Sequence, residues 1–273
     1  MVEESDASVD LYWLPLGAGG HSVRLNGRIF EAVAARLERR SPCDLYHSAL
    51  VVRVPGGCFV IEQAPIRRSD GPERGVVSEG AVGSRWAKRF RIFRYELRCW
   101  RGGVIPDVAE GVESPQRLTN DARLAQRILD LVPSVPTPVW GRDELRAGEM
   151  WNSNSVISWL IARGGLSAES MRPPAGGRAP GWRAGVVVAR RQELAAARDA
   201  VARAIEESCG RLLPTGSFRL RGGSCRDPAA EAFDLVRRPR TVAGHVPVGE
   251  PTEDVVLVLH DVVVRPEVEV AEH

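Results

Sequence analysis

The sequence predicts an α+β fold in which an antiparallel sheet packs against helices, followed by a loosely ordered C-terminal extension. Two observations carry this prediction. The apolar runs 45–54 and 58–63 flank Pro55-Gly56-Gly57, and this arrangement is typical of a β-hairpin. Residues 119–132 and 152–163 instead repeat apolar side chains every three or four positions, which is typical of helices that bury one face.

Further strands are predicted on both sides of the hairpin. Residues 9–16 are apolar and end at a glycine-rich turn, and residues 254–264 form a late apolar run. From Lys88 to Arg101 basic and apolar residues alternate, and the phase flips at Ile92-Phe93, which predicts a half-exposed strand with a bulge. Arginine interleaved with aromatic residues is also compatible with nucleic-acid binding. A strand with one solvated face explains the alternation more simply, so we expect no nucleic-acid partner.

Two more helices are predicted from the same periodicity. Residues 27–40 repeat apolar side chains at every fourth position, with arginines on the other side. Residues 189–208 carry a narrow apolar stripe that includes Leu194, Val201 and Ile205. For the helix over 119–132, Thr119 or Asn120 is the expected N-cap residue.

The loops divide the chain into two parts. Residues 66–80 and 172–185 are rich in residues such as glycine and arginine and are predicted to be loops. We expect a single α+β domain over residues 1–188 and an extension over residues 189–273 that holds a helix, a loop and a strand. Within the extension, residues 209–250 show little periodicity and are expected to be poorly ordered.

The composition excludes several functional classes. With 44% hydrophobic residues the chain can bury a core, and its net charge of +2 indicates no strong preference for nucleic acid or membranes. No apolar run is long enough to span a bilayer, so no stable membrane insertion is expected. The odd number of cysteines without a CxxC pair and the polar N-terminal segment favour a cytoplasmic protein. We find no metal-ligand spacing and no phosphate-binding glycine loop, and therefore expect neither a metal nor a cofactor.

The start of the helix over residues 152–163 has an unusual density of polar side chains. Asn152, Ser153, Asn154 and Ser155 all suit an N-cap, and Gly164 stands where a left-handed residue often ends a helix. A hydroxyl at such a start lies beside unpaired backbone N–H groups and the positive end of the helix dipole. This position suits a nucleophile and its oxyanion, and equally an ordinary capping serine.

The hairpin contributes His47 and Glu62 as candidate functional residues. His47 lies near the start of one predicted strand and Glu62 near the end of its partner. With the turn centred near Gly56, the two residues fall within a few positions of cross-strand register. A buried or rim histidine and an exposed strand carboxylate are the alternative interpretations.

Together these segments resemble the permuted papain-like proteins of the NlpC/P60 superfamily, in particular the lecithin retinol acyltransferase and H-REV107-like branch. The resemblance covers roughly residues 9–165. It is carried by the hairpin LYHSALVV…FVIEQAP and the helix start WNSNSVISWL. The family runs in the order histidine, third polar residue, nucleophile. In this chain those positions are His47, Glu62 and Ser153, and a serine stands where the family has a cysteine.

The resemblance implies an acyl-transfer reaction. His47 would take the proton of Ser153 as the serine oxygen attacks an amide, ester or thioester carbonyl of a small-molecule, lipid or peptide substrate. Glu62 would orient the imidazole, with Asp143 a weaker candidate for that role. Backbone N–H groups of Ser153 to Ser155 would stabilise the oxyanion.

Three interpretations remain open from the sequence. The first is a papain-like hydrolase or acyltransferase that uses Ser153. The second is an inactive member of the same fold that binds a peptide, a lipid or a protein partner, in which residues 152–155 only cap the helix. The third is an unrelated α+β protein. The oligomeric state is not predicted.

Overall fold

A computed structural model describes residues 7–16, 31–32, 35–37, 39–66, 75–105 and 108–212 of the chain. The fold is α+β, as predicted, with a six-stranded antiparallel sheet of strand order β4-β5-β3-β2-β1-β6. The strands are β1 (Ser8–Pro15), β2 (Tyr46–Val54), β3 (Gly57–Pro65), β4 (Val76–Ala81), β5 (Arg94–Arg101) and β6 (Gln116–Thr119). The helices are α1 (residues 31–32 and 35–37), α2 (Ala122–Leu131), α3 (Ser153–Arg163) and α4 (Trp182–Leu212).

The central hairpin is confirmed. Val54 pairs with Gly57 across the turn, and the register continues to Leu50 opposite Ile61. On its other side β2 pairs with β1 along its whole length, with Leu14 opposite His47 and Trp13 opposite Ser48. Because side chains alternate across a strand, this register fixes which residues of β2 share a face.

The two faces of the sheet carry separate apolar clusters. On the first face, alternate residues of β1, β2 and β3 pack with α2, α3 and the start of α4; the cluster includes Trp13, Leu50, Ile61, Ile128, Val156, Ile157, Leu160 and Ala184. On the second face, a smaller cluster contains Leu14, Ala49, Val51, Val60 and Ile105. We call these the helix face and the far face. Helix α3 is buried all round, because it lies between the sheet, α2 and α4.

Two elements on the β4–β5 side differ from the prediction. Strand β4 begins at Val76, inside residues 66–80, which were predicted to be a loop, and ends at Ala81. The strand contains Gly80, and glycine is uncommon in strands, so the sequence pattern did not indicate one. The position requires glycine, because a Cβ there would come within 2.1 Å of the Tyr95 ring. The predicted strand over 88–101 begins only at Arg94, after two 3₁₀ turns. Trp140 pairs with residues 81–83, just before these turns.

Three helix boundaries also differ. The residues before α2 form strand β6, and Asp121, rather than Thr119 or Asn120, caps α2 by accepting hydrogen bonds from the backbone of Arg123 and Leu124. At the end of α3, Gly164 has a right-handed φ of −66° and it is Gly165 that is left-handed, with φ +95°. Helix α4 begins at Trp182, inside the predicted loop 172–185, because its first turn packs against α3.

The C-terminal part is described only as far as Leu212. Helix α4 runs without a break across the predicted boundary at 188/189, and the apolar stripe predicted on it is exposed at Leu194, Val201 and Ile205. Residues 197–212 belong to a second compact unit, of which only this helical segment is described. Of the stretch 209–250 that was predicted to be poorly ordered, residues 209–212 belong to α4. Residues 213–250 and the predicted strand 254–264 lie outside the described residues.

Candidate functional site

The start of α3 is closed by a reciprocal cap. The Asn152 side chain accepts hydrogen bonds from the backbone N–H groups of Asn154 and Ser155, at 2.9 and 3.3 Å. In return Ser155 Oγ accepts the backbone N–H of Asn152 at 3.1 Å. This is a capping box, with Asn and Ser in place of its more usual residues. Two of the backbone N–H groups predicted to form an oxyanion hole are therefore already bonded.

Asn154 ties this helix start to the sheet. Its Nδ2 donates to the backbone oxygens of Tyr46 and Pro180, both at 2.9 Å, and its Oδ1 accepts from Ser48 Oγ at 2.9 Å. Asn154 itself is 2% exposed, and its bonds to Ser48 and Tyr46 are buried. Buried amides with every group paired in this way fix a unique arrangement of the elements they join.

The two other serines of α3 bond the start of α4. Ser155 Oγ donates to the backbone oxygen of Gly181 at 2.7 Å, and Ser158 Oγ donates to that of Trp182 at 2.7 Å. The carboxylate of Glu149 lies at the same place. Burial raises the pKa of this carboxyl group. Hydrogen bonds from the backbone N–H groups of Gly181 and Arg183 lower the pKa and offset part of this increase. The polar side chains around the start of α3 thus serve mainly to hold β2, α3 and α4 together.

Ser153 differs from its neighbours. It is the first residue of α3 and is only 5% exposed. Within the part of the chain that the structure describes, its hydroxyl makes no hydrogen bond, whereas Asn152, Asn154 and Ser155 each make several. The serine singled out by the sequence is therefore the one polar side chain of the run that the cap and the network do not use.

His47 faces away from this helix. Its cross-strand partner Leu14 belongs to the far-face cluster, whereas Trp13, opposite Ser48, belongs to the helix-face cluster. It is Ser48 that reaches the start of α3. The structure therefore does not place the imidazole of His47 on the face where α3 begins.

Glu62 shares the far face with His47. It is an even number of positions from Val60, which lies in the far-face cluster, and it pairs with Arg98 on β5. Arg98 Nη1 lies 3.4 Å from Glu62 Oε1, and Arg98 Nε donates to Glu96 Oε2 at 2.9 Å. All three side chains are at most 7% exposed. The structure thus brings His47 and Glu62 to one face and sets Glu62 in a buried charge cluster with Arg98 and Glu96.

The weaker candidate Asp143 has a local structural role. Its two carboxylate oxygens accept the backbone N–H groups of Ala147 and Gly148, at 2.6 and 2.8 Å. These bonds hold the turn that leads towards α3. They are the kind of side-chain to backbone bonds that Asp commonly makes in turns.

Two structural features are absent from the described residues. No group of three His, Cys, Asp or Glu side chains there is arranged to hold a metal ion. Helices long and apolar enough to cross a bilayer are also absent from the described ranges.

Sequence reasoning missed Ser48 and treated Asn154 only as a possible capping residue, whereas in the structure the two residues connect β2 to α3. The alternation of β2 contained the signal, since Ser48 is a small polar residue between apolar positions that face the helices. Comparison of the chain with protein-family models, with curated proteins and with solved structures gives no match.

Proposed function

We propose that this chain is a binding module built on a permuted papain-like α+β fold, and that it does not catalyse acyl transfer. The observation that carries this proposal is the alternation of β2, which turns Ser48 towards the start of α3 and His47 towards the far face. A serine becomes a nucleophile only when a base lies within hydrogen-bond reach. Ser153 has no hydrogen bond to such a base among the described residues.

Two further observations argue against acyl transfer at Ser153. An oxyanion hole needs free backbone N–H groups, and the Asn152 side chain occupies those of Asn154 and Ser155. A substrate carbonyl must also reach the nucleophile, but Ser153 is 5% exposed and its neighbours bond the segment from Pro180 to Trp182. The polar start of α3 is better suited to stabilising the fold than to admitting a substrate.

Acyl transfer is the second candidate, because none of the described residues bonds the hydroxyl of Ser153 at the start of α3. In that mechanism Ser153 Oγ attacks an amide, ester or thioester carbonyl while His47 takes the serine proton and Glu62 orients His47. The leaving group departs with that proton, and water then releases the acyl group from Ser153.

A serine-reactive fluorophosphonate probe separates the two candidates. The full-length protein, Ser153→Ala, His47→Ala and, as a control, Ser170→Ala at an exposed serine are treated with the probe. The binding module predicts no labelling that depends on Ser153. Labelling of the wild type and of Ser170→Ala that disappears in both other variants, with circular dichroism showing that they are folded, would overturn the proposal in favour of acyl transfer.

A further inference from the structure

The loop between β4 and β5 presents apolar side chains to solvent. It contains two 3₁₀ turns, Trp86–Arg89 and Arg91–Phe93. Trp86 is 64% exposed, Phe90 45% and Ile92 73%. We call residues 85–94 the aromatic–basic loop. Large apolar side chains grouped on a surface in this way commonly mark an interaction site.

The loop is held in place by bonds at its base. Arg85 binds Glu144 through two hydrogen bonds, Nε to Oε1 at 2.9 Å and Nη2 to Oε2 at 3.1 Å. The backbone N–H of Val82 donates to the oxygen of Phe93 at 2.8 Å, and Ala87, within the loop, is buried. Because the backbone is anchored at these points, the exposed side chains are displayed by the fold and do not result from a fraying chain end.

The charge of the loop has one sign. From residue 82 to residue 94 there is no acidic residue, and the cations are Arg85, Lys88, Arg89, Arg91 and Arg94. Among the described residues, Glu144 binds Arg85 and Glu79 lies 3.9 Å from Arg94. Lys88, Arg89 and Arg91 are exposed beside the apolar tips. The surface therefore combines exposed apolar side chains with an excess of positively charged ones.

We infer that the aromatic–basic loop docks the protein onto the surface of an anionic lipid bilayer. Trp86, Phe90 and Ile92 would enter the interfacial region, where aromatic and aliphatic side chains are favoured, while Lys88 and Arg91 contact lipid headgroups. Juxtaposed cations and apolar groups provide the two contributions that peripheral membrane binding needs. The inference concerns a surface separate from Ser153 and holds whether or not that serine reacts.

The arrangement of the rings favours lipid over single-stranded nucleic acid. Bases bind such proteins by stacking on open aromatic faces. Here the Arg89 guanidinium lies 3.5 Å from the Trp86 ring centroid and 4.8 Å from that of Phe90. Phe90 also meets Trp86 edge to face, at 5.8 Å. The most exposed tip, Ile92, is aliphatic and offers no face for stacking, but it suits an acyl-chain boundary.

Vesicle co-sedimentation of the full-length protein tests the inference. We expect binding to phosphatidylcholine vesicles that contain phosphatidylserine, and weak binding to phosphatidylcholine alone. Ile92→Glu and the double variant Lys88→Glu/Arg91→Glu should each reduce the partition coefficient by roughly tenfold or more. Leu194→Glu is the matched control, because Leu194 is 72% exposed and lies outside the loop. Ser153→Ala should bind as the wild type does, so failure here is distinct from failure of the proposed function.

Three results would overturn the inference. The first is equal binding to vesicles with and without phosphatidylserine, and the second is unchanged binding of the loop variants. The third is that the protein binds a fluorescent single-stranded oligonucleotide but no vesicles, and that both loop variants abolish the binding to the oligonucleotide. Binding to anionic vesicles that weakens in the loop variants, but not in Leu194→Glu, supports it.

Discussion

Ser48 Oγ donates a 2.9 Å hydrogen bond to Asn154 Oδ1 and so joins β2 to the first turn of α3. The neighbouring His47 consequently faces the other side of the sheet, because side chains of a strand alternate. The polar residues at the start of α3 act as a structural joint between a strand and two helices. This assignment leads to predictions about stability as well as about chemistry.

The hydrogen bonds at the start of α3 predict that replacing Ser153 and replacing Ser155 have different effects on stability. Ser155→Ala removes the bond to the Gly181 oxygen and half of the capping box, so we expect it to lower the free energy of unfolding by about 1–3 kcal/mol. Ser153→Ala removes no hydrogen bond within the described chain and should stay within about 0.5 kcal/mol. Urea unfolding of both variants measures the difference, and equal losses would contradict the assignment.

The contact between α3 and α4 predicts that Gly185 tolerates no side chain. A Cβ there would lie 2.0 Å from the backbone oxygen of Ser155 and 2.1 Å from Ser158 Oγ. The helices must therefore separate in Gly185→Ala, and we expect a loss of about 2 kcal/mol or more in the free energy of unfolding. Gly56→Ala in the hairpin turn is the control, because the nearest atom is 3.9 Å away. Thermal unfolding with similar midpoints for the two variants would refute the close contact.

The buried charges on the far face predict a strong dependence on Arg98. Arg98→Met takes the guanidinium from two carboxylates that are almost fully buried, Glu62 and Glu96, and should destabilise the fold by about 3–5 kcal/mol. Neutralising one acid in the same background, as in Arg98→Met/Glu96→Gln, should restore part of the loss. A double-mutant cycle by chemical denaturation measures this coupling, with Arg123→Met as an exposed control. Additive effects would argue against the charge cluster.

The contact between α1 and the segment before β2 predicts a dependence of stability on pH. Burial alone would raise the pKa of Glu31, but hydrogen bonds from Arg40 and Cys43 outweigh it and lower the pKa from 4.5 to about 2. A carboxylate with a depressed folded-state pKa stabilises the fold above its unfolded pKa, and this stabilisation is lost as pH falls through the folded value.

Glu31→Gln should accordingly destabilise the protein at pH 7 by on the order of 2 kcal/mol. The difference from the wild type should shrink as the pH falls from about 5 towards 2. Urea midpoints measured across this range test the prediction. A difference that stays constant with pH would mean that ionisation of Glu31 does not contribute.

Much of the fold was predictable because local patterns and tertiary structure agree there. Pro55-Gly56 forms the turn of the predicted hairpin, and Asn152 caps the predicted helix. The pattern misled where tertiary contacts override it. The alternation from Lys88 to Phe93 is periodic enough for a strand, yet Trp140 pairs with residues 81–83 and the chain from Trp86 to Phe93 forms two 3₁₀ turns, in which Trp86 and Ile92 are exposed. Strand β4 was missed because it is short and contains a glycine.

By itself, the sequence determined the α+β class, the central hairpin and the polar start of α3, since turn chemistry, capping and apolar periodicity act over a few neighbouring residues. Only the tertiary structure decided which side of β2 meets that helix. A shift of one position in strand register exchanges the two faces, so His47 and Ser48 are equivalent candidates until the pairing with β1 is known. The same pairing separates Ser153 from the histidine beside which the sequence had placed it.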